Sequence, residues 1–243
     1  MKLQVDIHFS GEIGLFSSKA TPLSARFSIV HANPRIIVLF GHSGSGKSSL
    51  LHALAGIIRP KNGSIWHEES CLFDDQKAIF LSPRERAIGL LFQNYSLFPH
   101  LTVLQNITYG LSQKSSQQET GDLWLKRFLL EGRGSDYPHR LSGGERQRIA
   151  LAQTLAPKPS LVFLDEPFSA LDRPLQKRLL IAVKEWLHQE GISAIIILHH
   201  LRDAMQIGDE LLIMGKGQIL QHGTPDEVIR HPVSNEVAEI LGE

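Results

Sequence analysis

The chain has 243 residues, 25 Lys+Arg against 25 Asp+Glu, and one cysteine. That length holds one large domain or a core with subdomains, and the zero formal net charge offers no field for nucleic acid or an anionic membrane surface. The lone Cys71 excludes an internal disulfide and suits a reducing compartment.

The N-terminus alternates like a strand, with Leu3, Val5, Ile7 and Phe9 on one face, and lacks the apolar core of a signal peptide. Ser10–Ser24 is expected to be a turn with irregular chain, and Ala25, Phe27 and Ile29 form one face of a second strand. Ile36–Phe40 is a continuous apolar run, as are Leu161–Leu164 and Ala194–Leu198. Such runs mark parallel strands buried on both faces, and they alternate with helical patterns. None approaches the ~20 residues that span a bilayer, so a soluble, cytoplasmic protein is expected whose membrane role comes through partners.

After the first run comes Gly41-His42-Ser43-Gly44-Ser45-Gly46-Lys47-Ser48, followed by the helical segment Ser49–Ala55. G-x-x-x-x-G-K-[ST] between a strand and a helix is a phosphate-binding loop. Its glycines let successive N–H groups converge on an anion, and the helix adds its positive end. Lys47 would reach the β- and γ-phosphates, and the Ser48 hydroxyl would ligate Mg²⁺. The bland alternative is a Gly/Ser linker matching by chance; the buried-strand run before it and the lack of a nearby proline argue against that.

Between Phe92 and Leu161 no strand run occurs. Val103–Ile107, Leu123–Leu130 and Glu145–Leu155 read as helices, and the polar Ser112–Asp122 as an exposed loop. The expectation is a helical subdomain over roughly 94–157 inserted into a single domain, 1–243. Pro174–His188 carries a core-facing stripe of Leu175, Leu179, Val183 and Trp186/Leu187. Leu211–Met214 and Gln218–Gln221 flank Gly215-Lys216-Gly217 as a hairpin, and Thr224-Pro225-Asp226-Glu227 starts a last helix.

Two further motifs carry chemistry. Leu161–Leu164 delivers Asp165 and Glu166 at a strand's carboxyl end, where a parallel sheet keeps its ligand crevice. Asp165 is read as the metal-side acid and Glu166 as the general base for an attacking water. Alone, an acid pair there is more often a solvated loop start; behind a phosphate loop it becomes functional. In Leu141-Ser142-Gly143-Gly144-Glu145-Arg146-Gln147-Arg148, Ser142 and Glu145 make a capping box. Two glycines at the first helical positions are poor helix formers. They open a second helix N-terminus to a phosphate. Two such sites and one evident nucleotide imply that another copy of the chain completes each site.

In these motifs, in this order, the chain resembles the ATP-binding cassette (ABC) ATPases over essentially its whole length. That resemblance implies an α/β P-loop fold with a mostly parallel sheet, an antiparallel β subdomain and an inserted helical subdomain. Gly41–Ser48 with Ser49 would bind ATP. Gln93 is similar to the Q-loop glutamine and would sense Mg²⁺ together with Ser48 and Asp165. Leu141, Ser142, Gly143, Gly144 and Glu145 match the signature that meets the opposite subunit's ATP. Ser169-Ala170-Leu171-Asp172 resembles the D-loop, with Asp172 communicating across a homodimer. His199 is similar to the switch histidine that contacts the γ-phosphate, although Leu198-His199-His200-Leu201 departs from the usual Thr-His-Asp run and leaves His200 as the fallback. Phe16, with Phe9 behind it, is the candidate to stack on adenine; packing is the commoner role for either.

Leu81–Gly89 and Gln93–Val103 resemble the importer ATPases for molybdate/tungstate, sulfate, polyamines, iron(III) and sugars. The divergent N-terminal region and the Ser70–Ser82 loop are most similar to the molybdate members. The implied assembly is a homodimer at the cytoplasmic face of the inner membrane, held peripherally by two permease subunits and served indirectly by a solute-binding protein, with no nucleic acid. Leu97-Phe98-Pro99-His100 is the expected groove for a permease coupling helix. Because the chain stops at Glu243, a C-terminal regulatory domain is not expected. A soluble ribosome- or DNA-acting ABC ATPase would need a second cassette with a charged linker, or a long coiled coil. A P-loop kinase or GTPase would leave Ser142–Glu145 unexplained.

Overall fold

The continuous apolar runs form the centre of one large sheet. The computed structural model describes residues 1–9, 23–111 and 117–242 of the chain. The strands are β1 (Lys2–His8), β2 (Ser24–Val30), β3 (Ile36–Phe40), β4 (Asn62–His67), β5 (Ser70–Asp74), β6 (Ile79–Phe80), β7 (Gly89–Leu91), β8 (Leu161–Asp165), β9 (Ser193–Ile197), β10 (Glu210–Gly215) and β11 (Gln218–Gly223). They lie in the order β6-β5-β4-β1-β2-β11-β10-β3-β9-β8-β7. From β10 to β7 every neighbour is parallel. From β6 to β2 every neighbour is antiparallel. The hairpin β10–β11 joins the two parts, touching β2 through the single register pair Gln218↔Ser24.

Every residue of β3, β8 and β9 is buried, because helices cover one face and the helix α1 (Lys47–Leu54) with the antiparallel strands covers the other. Alternation decides the side: Ile36, Val38 and Phe40 join one apolar cluster, Ile37 and Leu39 the other. The first cluster includes α5 (Gly143–Leu155) and α6 (Arg173–Glu190), the second α1 (Lys47–Leu54). The short helix α2 (Pro83–Arg86) precedes β7, and between β7 and β8 lie α3 (Val103–Thr108), α4 (Gln117–Arg127) and α5. Trp124 of α4 meets Trp186 of α6 edge-on, with ring centroids 4.9 Å apart. The chain closes with α7 (Leu201–Ile207), α8 (Pro225–Arg230) and α9 (Asn235–Leu241). Among the described residues no helix is long and apolar enough to cross a membrane.

Two expectations need correction. Residues 117–122 are helical, not loop, since α4 starts at Gln117. The cause is packing that polarity conceals: a Cβ on Gly121 would lie 2.2 Å from Leu104 Cδ1, so a glycine lets α4 close onto α3. Ser70–Ser82 is likewise not a loop, because β5 and β6 occupy most of it. Mixed exposure along β4 and β5 leaves no clean alternation to read.

Candidate functional site

Adjacent parallel strands bring distant sequence together. β3, β9, β8 and β7 are neighbours, and the phosphate loop, His199, the pair Asp165–Glu166, and Gln93 follow or end them in turn. One edge of the sheet therefore gathers all of them, as the rule for parallel strand ends requires.

The phosphate loop is built by its glycines. Gly44 and Gly46 have φ of 80° and 99°, the left-handed region that an L side chain resists, and Gly46 caps α1. Gly41 needs space instead: a Cβ there would sit 2.1 Å from the Met214 carbonyl oxygen. His42, Ser43 and Gly44 are exposed at the loop tip, while Ser48 and Ser49 are half-buried in the first turn of α1. Lys47 is buried, and its Nζ donates to the carbonyls of Gly41 at 2.9 Å and His42 at 2.8 Å. Burial pulls the Lys47 ammonium below its ordinary range, against the pull of the Glu166 and Asp165 carboxylates. Asp165 is pushed up, by burial first, with a Ser48 hydrogen bond opposing.

Glu166 follows β8 with φ 51°, rare for a residue that is not glycine. One carboxylate oxygen pairs with His199 Nε2 at 2.5 Å, and the other faces Gln93 Nε2 at 3.4 Å. His199, not His200, makes this pair; His200 caps α7 from the backbone. The Leu141–Glu145 segment has the capping box read from the sequence: Ser142 caps α5, accepting from Glu145 N at 3.3 Å, and Glu145 accepts from Ser142 N at 2.9 Å. The Ser142 backbone and side-chain hydrogen bonds hold the Glu145 carboxyl below its usual range. Among the described residues no hydrogen bond or ion pair links Leu141–Glu145 to Gly41–Ser48. Asp172 is exposed at the start of α6, and its side chain makes no capping bond. Phe16 lies outside the described residues. Phe9 is buried among Val5, Ile7 and Leu23, which makes it a packing residue.

Composition conceals two supports. Arg86 is buried and donates to the carbonyls of Ala53 (2.9 Å), Leu54 (2.6 Å), Leu81 (2.9 Å) and Leu72 (3.2 Å). It thereby holds the C-terminal end of the helix whose first residue is Lys47, where a cation also suits the helix dipole. The spacing Pro83-x-x-Arg86 was the available signal. Asn106, fully buried, clamps the loop after Gln93: its Nδ2 donates to the carbonyls of Phe98, Leu101 and Thr102, and its Oδ1 accepts from Phe98 N. That loop borders a groove of about 580 Å³ lined by Leu90, Phe92, Phe98, Tyr109, Pro157 and others.

The sequence model of the family described as ABC transporter matches residues 26–169. The chain belongs to the ABC transporter family. The cassette is 39% identical over 222 residues to the probable sulfate/thiosulfate import ATP-binding protein of Chlorella vulgaris, covering 89% of this chain and 91% of that one. To the sulfate/thiosulfate import ATP-binding protein of Synechocystis it is 39% identical over 213 residues, 86% of this chain but 58% of the relative's length. Among solved structures, the ATP-binding cassette MJ0796 bound to ADP and Pi is similar in fold, with a TM-score of 0.76, 24% identity and coverage of 93% of this chain and 99% of that one. The Clostridium perfringens protein cbiO1, part of an ABC transporter complex, gives 0.75 at 25% identity, covering 94% and 90%. The cassette is an ATPase of α/β P-loop fold.

The donors present fit a magnesium nucleotide. Asp165 Oδ1 and Ser45 Oγ are buried with no partner among the described residues. Such orphaned oxygens beside an ammonium and a Ser48 hydroxyl are what a hard cation and phosphate oxygens would satisfy.

Proposed function

We propose that the cassette powers uptake of sulfate or thiosulfate through a membrane permease, as one half of an ATP-closed homodimer. The support for the solute is the identity to sulfate/thiosulfate import proteins, which moves the reading from molybdate to its oxyanion alternative. The observation that carries the chemistry is Glu166 suspended between His199 and Gln93 at the strand edge that also bears Lys47.

In this reading Gly41–Ser49 wraps the phosphates and Lys47 leaves its two carbonyls for the β- and γ-oxygens. Ser48 and Asp165, with Gln93, would hold Mg²⁺, which when bound would neutralise charge gathering on the phosphates. Glu166 takes a proton from water as the water oxygen bonds to the γ-phosphorus and the bond to the β–γ bridging oxygen breaks. His199 keeps the Glu166 carboxylate aimed and turns toward the γ-phosphate. Leu141–Glu145 of the partner copy closes over the nucleotide with its helix N-terminus, and Asp172 lies at that junction. Hydrolysis removes the bridge between copies, so the dimer is a two-state switch. The groove beside Phe98 and Tyr109 receives a helix of the permease on the cytoplasmic side of the membrane.

The test is solute-stimulated hydrolysis. The tagged chain is drawn from its membranes with its partners and placed in liposomes with the cognate binding protein. Sulfate, thiosulfate, molybdate, tungstate, iron(III), spermidine and maltose are offered in turn. Stimulation by sulfate or thiosulfate, lost in Glu166→Gln, is expected. Stimulation by another solute alone overturns the sulfate reading, and recovery of no membrane protein overturns the transporter reading.

A further inference from the structure

Gln147 stands in the second turn of α5 and is fully buried, on one stripe with Ala150 and Leu151. Its Nε2 donates to the carbonyl of Glu166 at 3.0 Å and to Ser169 Oγ at 3.1 Å, while its Oε1 accepts from Ala170 N at 3.0 Å. Both ends of the amide are used, and the fixed backbone partners determine which way it points: a flipped amide would set oxygen against the Glu166 carbonyl and NH₂ against the Ala170 N–H. The carbonyl it holds belongs to the residue with φ 51°, a conformation that persists only where its surroundings over-determine it. Ser169 adds its N–H at 3.3 Å and its hydroxyl at 3.2 Å to the same carbonyl. Next to this latch, a Cβ on Gly144 would come within 3.2 Å of both the Ala170 oxygen and a Leu171 methyl. The start of α5 and the 166–172 loop are thus tied together by hydrogen bonds and close packing.

We infer that Gln147 is a positioning residue for hydrolysis: it ties the helix bearing Ser142–Glu145 to the backbone of Glu166 in the same chain. This rests on the function proposed above, in which those two segments serve opposite nucleotides of a dimer. Gln147 touches neither nucleotide. It makes the aim of Glu166 in one site depend on whether α5 is pinned by nucleotide in the other. Both sites then fire cooperatively because one side-chain amide joins them.

The experiment uses the full chain with the membrane partners it retains, and compares Gln147→Leu, Gln147→Glu and Glu166→Gln. ATP affinity, kcat, KM, the Hill coefficient and the thermal midpoint are read for each. Gln147→Leu, which removes every latch bond, is expected to cut kcat about 100-fold, the cost of a misplaced catalytic group, with ATP affinity and KM within about twofold. Its Hill coefficient falls toward one. Gln147→Glu keeps the acceptor for Ala170 N but sets an oxygen against the Glu166 carbonyl, and is expected to cut kcat at least as far as Gln147→Leu. If Gln147→Leu does not fold, Ser169→Ala removes another donor to the same carbonyl from an exposed position, and a smaller kcat loss at unchanged KM is expected. Wild-type kcat per folded molecule in the Gln147 variants overturns the latch, as does a loss of ATP affinity in step with the folded fraction. When Glu166→Gln is inactive and Gln147→Leu is not impaired, only the latch fails. When Glu166→Gln stays active, the functional reading fails and the latch goes with it.

Discussion

Replacing Arg86 by Met removes a buried cation that holds carbonyl groups and, among the described residues, pairs with no carboxylate. Two of its four acceptors keep another donor: Ala53 O has Gly56 N at 3.1 Å, and Leu72 O has Leu81 N at 3.0 Å. The Leu54 carbonyl is left dry, at a cost of about 1–3 kcal/mol, while the Leu81 carbonyl is nearer water and costs less. Loss of a cation from the C-terminal end of α1 adds up to ~2 kcal/mol. Against this stands the relief of desolvation, which pushes the guanidinium down to about 10. The net expectation is a destabilisation of about 2–4 kcal/mol, or a fall in Tm of about 4–16 °C for a chain of this size. Urea unfolding at pH 7 reads it directly, with Arg86→Lys between wild type and Arg86→Met because a point charge cannot fork to acceptors on both sides. Nucleotide affinity should fall as well, since the other end of α1 carries Lys47. A Met variant within about 0.5 kcal/mol of wild type would refute the reasoning, because surface substitutions do as little.

Asp165→Asn should raise the Tm of the nucleotide-free chain at pH 7 while abolishing hydrolysis. Burial raises the Asp165 carboxyl above its ordinary range, so the folded chain holds a proton that the unfolded chain releases first. Wild-type stability therefore falls as pH rises through that window, and the advantage of the Asn variant should vanish in acid; a lower Tm at pH 7 would sink the argument. Tyr109, 62% exposed and tilted against Phe98 with centroids 4.3 Å apart, flanks the proposed permease groove. Tyr109→Asp should release the chain from membranes in a wash that retains wild type, and full retention would reject the groove.

The parallel strands and the phosphate loop were legible because their residues signal locally. A run of five apolar residues has few homes besides a strand buried on both faces, and Gly-x-x-x-x-Gly-Lys-Ser names its own geometry. What sequence concealed was polar residues working inside. Gln147 sits in the string Glu-Arg-Gln-Arg, which reads as a solvated helix face; only its helical spacing to Ala150 and Leu151 betrays it. Arg86 and Asn106 are hidden the same way, because composition favours the surface for both and only paired partners reverse that. Sheet order was also closed to a local reading. No pattern in Gln218–Gly223 announces that β11 joins the antiparallel strands to the parallel ones, since that depends on a contact with β2 nearly two hundred residues earlier.

The two outer strands of the sheet are its shortest: β6 has two residues and β7 has three. A long sheet is a hazard in a crowded cell, because an unpaired edge recruits any extended chain and grows without limit. Here the templates at both ends are too brief to seed such growth, and the guanidinium groups of Arg59 and Arg86 lie over Phe80 at one of them. In the proposed dimer, association of copies is left to helix ends and loops, where it can be reversed each time a bridging ligand is consumed.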